Sequence, residues 1–275
     1  MKTSNPVLSR LGQAAERERS AGYNPAGPYG PAAGQPGYGQ PYPTADGYPA
    51  APPAVQPMTI DDVVVKTVLL LGITGLSAVA AWVLVPDSLL GPAWIGAAVV
   101  GLVLGLIISF SRMANPALIL AYAVVEGAFV GLVSKMFESF YDGIVLQAVI
   151  ATFGVFFMMA ILYRARVIRA TPKFTRGLIA VMAGLFAVML INLVLSLFGV
   201  TTGLRSGGAI GIGFSIICIV VASLSFILSF NEVEEGVRLG LPQRYSWTAA
   251  FGILVSLIWL YLEVLRLLSY FQGDD

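Results

Sequence analysis

From Asp61 onward, the chain alternates long apolar stretches with short polar breaks. A helix that crosses the hydrocarbon core of a bilayer needs about 20 predominantly apolar residues. Stretches of about this length number seven, and we call them spans one to seven: Val63–Val85, Ala93–Ser111, Pro116–Phe137, Ile144–Tyr163, Gly177–Phe198, Gly208–Phe230 and Trp247–Tyr270. The pattern predicts an all-α membrane protein in which residues 58–275 form a bundle of seven transmembrane helices.

The composition agrees with this class and excludes several others. Hydrophobic residues make up 57% of the chain and charged residues 11%, against about 45–50% and about 25% in soluble domains. The net charge of +1 argues against a nucleic-acid partner, because binding phosphates requires a dense basic surface. The chain has no histidine and one cysteine, Cys218, which removes the commonest general base and any cysteine metal cluster. We therefore expect no enzymatic activity, no cofactor and no certain metal site.

The N-terminal segment differs sharply from the rest of the chain. Residues 21–57 are rich in Tyr, Pro and Gly and have no apolar periodicity, so they cannot bury enough surface to offset the entropy of ordering. Residues 1–57 also lack the basic stretch and apolar core of a cleaved signal peptide. We predict a disordered cytoplasmic tail at residues 1–57, with span one as an uncleaved anchor.

The distribution of Lys and Arg predicts the orientation, since positive charge is retained on the cytoplasmic side of a membrane. With the N-terminus inside, twelve of these residues lie in the cytoplasm and three lie outside: Lys135, Arg205 and Arg266. We therefore expect a multi-pass protein of the cell membrane, surrounded by the lipid bilayer, with a cytoplasmic N-terminus.

Ionisable side chains within the spans are candidates for function, because they are costly to bury in a membrane. Four fall in this class: Lys66, Glu126, Glu263 and Arg266. Lys66 lies one turn into span one and can extend to the interface, so we favour a structural role for it. Glu126 lies midway along span three beside Gly127 and Gly131, whose small size lets a neighbouring helix approach closely. It is either a protonated acid bonded to a facing carbonyl or a functional carboxyl.

Glu263 and Arg266 are three residues apart, and this spacing places them on one face of span seven. They form either a local ion pair or a site at which a carboxylate binds a cation or responds to pH, and both can hold together. A second candidate is the acidic cluster Glu232, Glu234 and Glu235, just beyond span six. Three carboxylates there could attract cations at a pore mouth, although a charged run outside the membrane is more often solvated surface.

Three stretches resemble the Bax inhibitor-1 family, and within it the bacterial YccA-like branch. They are YAVVEGAFVGLVSKMFE at residues 122–138, TPKFTRG at residues 171–177 and the most specific one, FNEVEEGVRLGLPQRYSWTAAFGILVSLIWLYLEVLRLL at residues 230–268. The resemblance covers about Pro116 to Tyr270. It implies a seven-span fold and a pH-sensitive calcium leak, gated by acids on spans six and seven that share a proton and hold an Arg of span two.

Carried over by position, the acid of span seven falls on Glu263 and the acid of span six near Asn231, where an Asp is expected and absent. Arg112, at the inner end of span two, is the candidate for the latch. An antiparallel span six would place Glu263 level with roughly Ser223. Two functions remain open: a leak channel with Ca²⁺ as the transported ion, and a non-conducting regulator that binds another membrane protein, such as a membrane protease. The missing Asp favours the second.

Overall fold

The structure, a computed structural model, describes residues 56–111, 115–200, 202–204 and 208–273. It contains seven long α-helices in this part of the chain: α1 Ile60–Leu84, α2 Leu90–Phe110, α3 Pro116–Glu138, α4 Ile144–Arg164, α5 Pro172–Leu197, α6 Ala209–Arg238 and α7 Tyr245–Gln272. All seven are long and apolar enough to cross a membrane, so the predicted fold is confirmed. Most of the predicted tail, residues 1–55, and Arg112 lie outside the described residues.

Capping residues set the helix starts. The hydroxyl of Thr59 accepts a hydrogen bond from the backbone N–H of Asp62 at 3.1 Å, and the Asp62 carboxylate accepts one from the Thr59 N–H at 3.1 Å. This capping box begins α1. Thr171 caps α5 and is followed by Pro172 at the first helical position. Proline is well suited there because its missing N–H would have no partner, and α5 therefore begins five residues before the predicted span.

The end of α6 differs from the prediction. This helix continues to Arg238 and ends where Gly240 adopts a φ of 62°, a conformation that glycine takes without steric cost. The Leu241 N–H closes the turn by donating to the Gly236 carbonyl at 3.0 Å. The acidic cluster therefore lies on the last turns of α6 and not beyond the helix, because glutamate is a good helix former and the first stop signal is Gly240.

Helix α7 lies at the centre of the bundle. It packs against α1, α3, α4 and α6, whereas α2 packs against α3 and α5 packs only against α6 among the described helices. Leu254, Leu260 and Leu265 of α7 and Phe226 of α6 are fully buried. The central helix is the most buried of the seven and α5 is the least. A movement of α7 would therefore alter its contacts with four neighbouring helices.

Helices α1 and α3 cross at two glycines. A Cβ atom added to Gly131 would lie 2.7 Å from the Cα of Ala78, and one added to Gly127 would lie 2.9 Å from the Cα of Thr74. The close approach lets the Ser77 hydroxyl of α1 donate to the Val124 carbonyl of α3 at 2.6 Å. The prediction that these glycines admit a neighbouring helix is confirmed, and the neighbour is α1.

The segment before α1 is attached to the connection between α6 and α7. The Met58 N–H donates to the Leu241 carbonyl at 2.7 Å, and the Gln243 N–H donates to the Gln56 carbonyl at 2.9 Å. Pro57 and Pro242 form an isolated antiparallel bridge. Residues 56 and 57, which we predict to belong to the tail, are thus paired with the bundle through the backbone. Backbone pairing needs no apolar periodicity, so the sequence pattern does not reveal it.

Candidate functional site

Glu263 is a buried acid on the central helix. Its side chain is 3% exposed, and the Arg266 guanidinium Nη1 donates to both of its carboxylate oxygens at 3.2 and 3.3 Å. Arg266 is 20% exposed. The predicted local ion pair is confirmed. Because α7 rises about 1.5 Å per residue, Glu263 lies only about 7 Å from the midpoint of the helix.

Glu263 lies on a broad buried face of α7. Leu260, Tyr261, Val264 and Leu265 are also buried, whereas Arg266, on the remaining side of the helix, is partly exposed. The Tyr261 and Ser134 hydroxyls lie 2.6 Å apart and share a hydrogen bond between α7 and α3. An ionised carboxyl in such surroundings depends on a close cation, because an isolated buried charge is very costly.

Glu126 lies at the midpoint of α3 and faces α2. One of its carboxylate oxygens occupies the space where a Cβ on Gly101 would lie. Among the described residues this carboxyl has no hydrogen-bond partner, so the predicted bond to a facing carbonyl is not formed. A glycine on α2 makes the room for the carboxyl, which leaves Glu126 half-buried between two helices at the depth of the bilayer centre.

Lys66, for which we predict a structural role, contacts residues at the start of α7. Its ammonium group donates to the Gln243 carbonyl at 3.3 Å and to the Ser246 hydroxyl. It also lies 5.4 Å from the centre of the Trp247 ring, within reach of a cation–π interaction. Lys66 therefore joins α1 to the start of α7.

The acidic cluster is divided among different partners. The Tyr163 hydroxyl donates to Glu234 at 2.6 Å, Glu235 pairs with Arg238 on the same helix, and Glu232 is exposed. In the part of the chain that the structure describes, no group of three or more Asp, Glu, Cys or His side chains is placed to hold a metal ion. The three carboxylates do not converge on a shared cation site, because Glu234 and Glu235 are each held by a partner of their own.

The structure adds a feature that the sequence analysis missed. An open groove of about 980 Å³ runs between α1 and α4, with α6 and α7 at its base. We call it the lateral groove. Its lining includes Asn231 and Glu234 and, at the end where α4 stops, Arg164, Arg166 and Arg169. The corresponding signal in the sequence is three arginines within six residues, a pattern that by itself indicates only which side of the membrane the connection faces.

Comparison with protein families shows to which family the chain belongs. The model of a family described as Bax inhibitor 1 like matches residues 5–273. The chain belongs to this family. The match extends well beyond the stretch from Pro116 to Tyr270 in which the resemblance was seen, and it takes in most of the tail. No sequence among curated proteins matches the chain. The assignment to a YccA-like branch stays a prediction.

The family resemblance placed the second acid of the gate near Asn231, and the structure does not bring this residue to Glu263. The Ser225 hydroxyl of α6 donates to the Ser256 hydroxyl of α7 at 3.1 Å. This contact places Glu263 level with Cys218 on the antiparallel helix, about 7 Å from the expected level of Ser223. Asn231 is thirteen residues from Cys218, which is about 20 Å along the helix axis. The two positions line different parts of the bundle.

Proposed function

We propose that this Bax inhibitor 1 like protein is a pH-sensitive cation leak that passes Ca²⁺, and that Glu263 couples proton binding to conduction. The observation that supports this proposal is the ion pair between Glu263 and Arg266, which lies within the membrane-spanning part of the central helix. Buried ionisable groups at such depth are expensive to keep and commonly mark ion or proton pathways.

Protonation of Glu263 is the trigger in this proposal. It removes the negative charge and leaves the Arg266 guanidinium without that counter-charge inside the bundle, which is strongly unfavourable. In this proposal the charged guanidinium of Arg266, which is 20% exposed at the surface of the described bundle, then draws water into the region. Helix α7 contacts four other helices, so its movement opens several interfaces at once.

In the gate that the resemblance implies, acids on two helices hold an Arg from a third. Arg112, the candidate for that Arg, lies outside the described residues, and the described ion pair of Glu263 is with Arg266 on the same helix. A pair within one helix cannot by itself clamp two helices together. The proposed gate therefore acts through the packing of α7 against its neighbours.

Ca²⁺ entry into liposomes that contain the purified protein and a trapped calcium indicator tests the proposal. We expect flux that changes between neutral and acidic pH, and we expect Glu263→Gln to slow it or remove its pH dependence. Glu126→Gln is the comparison variant, since it alters the other intramembrane carboxyl, between α2 and α3; loss of the pH response in that variant alone would place the sensor at Glu126 and reject Glu263. Unchanged flux in Glu263→Gln would reject the site. Absence of flux from the parent protein would reject conduction altogether.

The second candidate is a non-conducting regulator that binds another membrane protein, such as a membrane protease. Two observations favour it. Asn231 is not acidic and lies about 20 Å from the level of Glu263 along the axis, and α5 packs only against α6 among the described helices, which leaves apolar surface for a partner. This function predicts a stoichiometric partner after purification in mild detergent, together with no ion flux from the parent protein.

We also propose that the protein resides in the cell membrane with its N-terminus in the cytoplasm. The asymmetry of Lys and Arg between alternate connections supports this orientation. Reporter fusions at the connection between α4 and α5 test it, because that connection should then face the cytoplasm. A reporter that is active only on the outer side would contradict the proposal.

A further inference from the structure

The lateral groove has apolar walls. Helices α1 and α4 do not contact one another among the described residues, and the gap between them is lined by Val64 and Val68 of α1 and by Phe153 and Phe157 of α4. Phe230 of α6 contributes to the base. The groove opens sideways from the bundle, towards the space that lipid tails fill in a membrane.

One end of this groove is positively charged. Arg164, Arg166 and Arg169 line it where α4 ends, and their side chains are exposed. Within the described residues, none of the three forms an ion pair. The acid in the same lining, Glu234, accepts a hydrogen bond from Tyr163 at 2.6 Å. Three cations that have no ion-pair partner in the described part of the chain thus lie at one end of an apolar groove.

The backbone at Arg166 is strained. Its φ is 57°, the only positive φ of a non-glycine residue in the described part of the chain. The Val167 N–H donates to the Leu162 carbonyl at 3.1 Å and the Arg166 N–H donates to the Tyr163 carbonyl at 3.0 Å. In this helix-ending motif the position of Arg166 is usually glycine, because other residues pay a steric cost there. Strain of this kind is a reason to look for a function of the side chain.

We infer that the lateral groove binds one anionic phospholipid, with its phosphate on Arg164, Arg166 and Arg169 and an acyl chain between α1 and α4. Guanidinium groups match phosphate oxygens in geometry and charge, and basic pockets between transmembrane helices bind anionic head groups. The volume of about 980 Å³ lies within the range of ligand sites, roughly 300–1,000 Å³. Two other occupants match the groove less well. The head group of a zwitterionic lipid places a cation beside the three arginines, and an apolar helix of another protein offers them no anion.

Native mass spectrometry of the full chain tests this inference. The purified protein in detergent is titrated with equal amounts of phosphatidylglycerol and phosphatidylcholine that carry the same acyl chains. We expect the parent protein to retain one molecule of phosphatidylglycerol in preference to phosphatidylcholine. A basic residue near a membrane surface contributes enough to change such a preference about fivefold, so each single Arg→Gln variant should lose about that factor. The triple variant should show no preference. Lys173→Gln, a cation outside the lining, should behave as the parent.

Variants at Arg166 separate charge from backbone strain. Arg166→Lys keeps the cation and should stay within about twofold of the parent preference, because lysine also binds phosphate as a point charge. Arg166→Gly removes the cation but relieves the positive φ, so its preference should fall about fivefold while its melting temperature stays equal or rises. A loss of preference without loss of fold is not expected of a residue that only shapes the loop.

A photoactivatable side chain at Phe157 identifies the occupant directly. Crosslinking to phosphatidylglycerol supports the inference, whereas crosslinking to a second copy of the chain or to another protein overturns it. Equal retention of the two lipids by the parent, or an unchanged preference in Arg166→Gly, overturns it as well. None of these results depends on ion conduction, so the lipid site and the proposed leak are tested independently.

Discussion

Replacement of Gly131 by alanine should weaken the contact between α1 and α3. The added Cβ would lie 2.7 Å from both the Cα and the carbonyl carbon of Ala78, whereas carbon atoms normally stay about 3.5–4.0 Å apart. The two helices must therefore separate locally by about 1 Å. Movement of this size would stretch the hydrogen bond from Ser77 to Val124, now 2.6 Å long, beyond useful reach.

Three contributions set the change in the free energy of unfolding. Overpacking of a tight contact costs about 1–3 kcal/mol, and loss of one hydrogen bond between membrane helices costs roughly 0.6 kcal/mol. Alanine is favoured over glycine within a helix by about 1 kcal/mol. Gly131→Ala should therefore lower the free energy of unfolding by about 0.5–2.5 kcal/mol.

Reversible unfolding in mixed micelles measures this free energy. Gly75→Ala is the matched control, because Gly75 lies on α1 and a Cβ added there meets nothing within 4 Å. The control should be neutral or more stable by up to about 1 kcal/mol. If Gly131→Ala proves as stable as Gly75→Ala, the two helices do not pack as closely as the structure has them, and the argument fails.

Two further predictions concern other contacts. Deletion of residues 2–55 should leave the melting temperature in detergent unchanged, because it keeps Gln56 and Met58, which pair with the α6–α7 connection through the backbone; a large drop would show that the tail packs on the helices. A double-mutant cycle of Ser134→Ala and Tyr261→Phe should give a coupling free energy of roughly 0.6 kcal/mol for the hydrogen bond between α3 and α7, and a coupling of zero would contradict it.

The candidate site was partly predictable. The pairing of Glu263 with Arg266 follows from helix geometry alone, since side chains three residues apart meet on one face. The level of Glu263 on α6 was missed by about one and a half turns, because counting from the predicted helix ends does not give the register that Ser225 and Ser256 set. The lateral groove was also missed, since its lining comes from four helices and from the connection after α4.

The sequence by itself determined the number of helices, their approximate ends and the presence of buried charge, because the thickness of a bilayer demands about 20 apolar residues from each span. Only the tertiary structure decided that α7 lies at the centre and that α2 and α5 lie outside. The physical reason is that lipid tails are as apolar as the interior of the bundle. A span that is apolar on all sides does not reveal which of its faces will meet another helix.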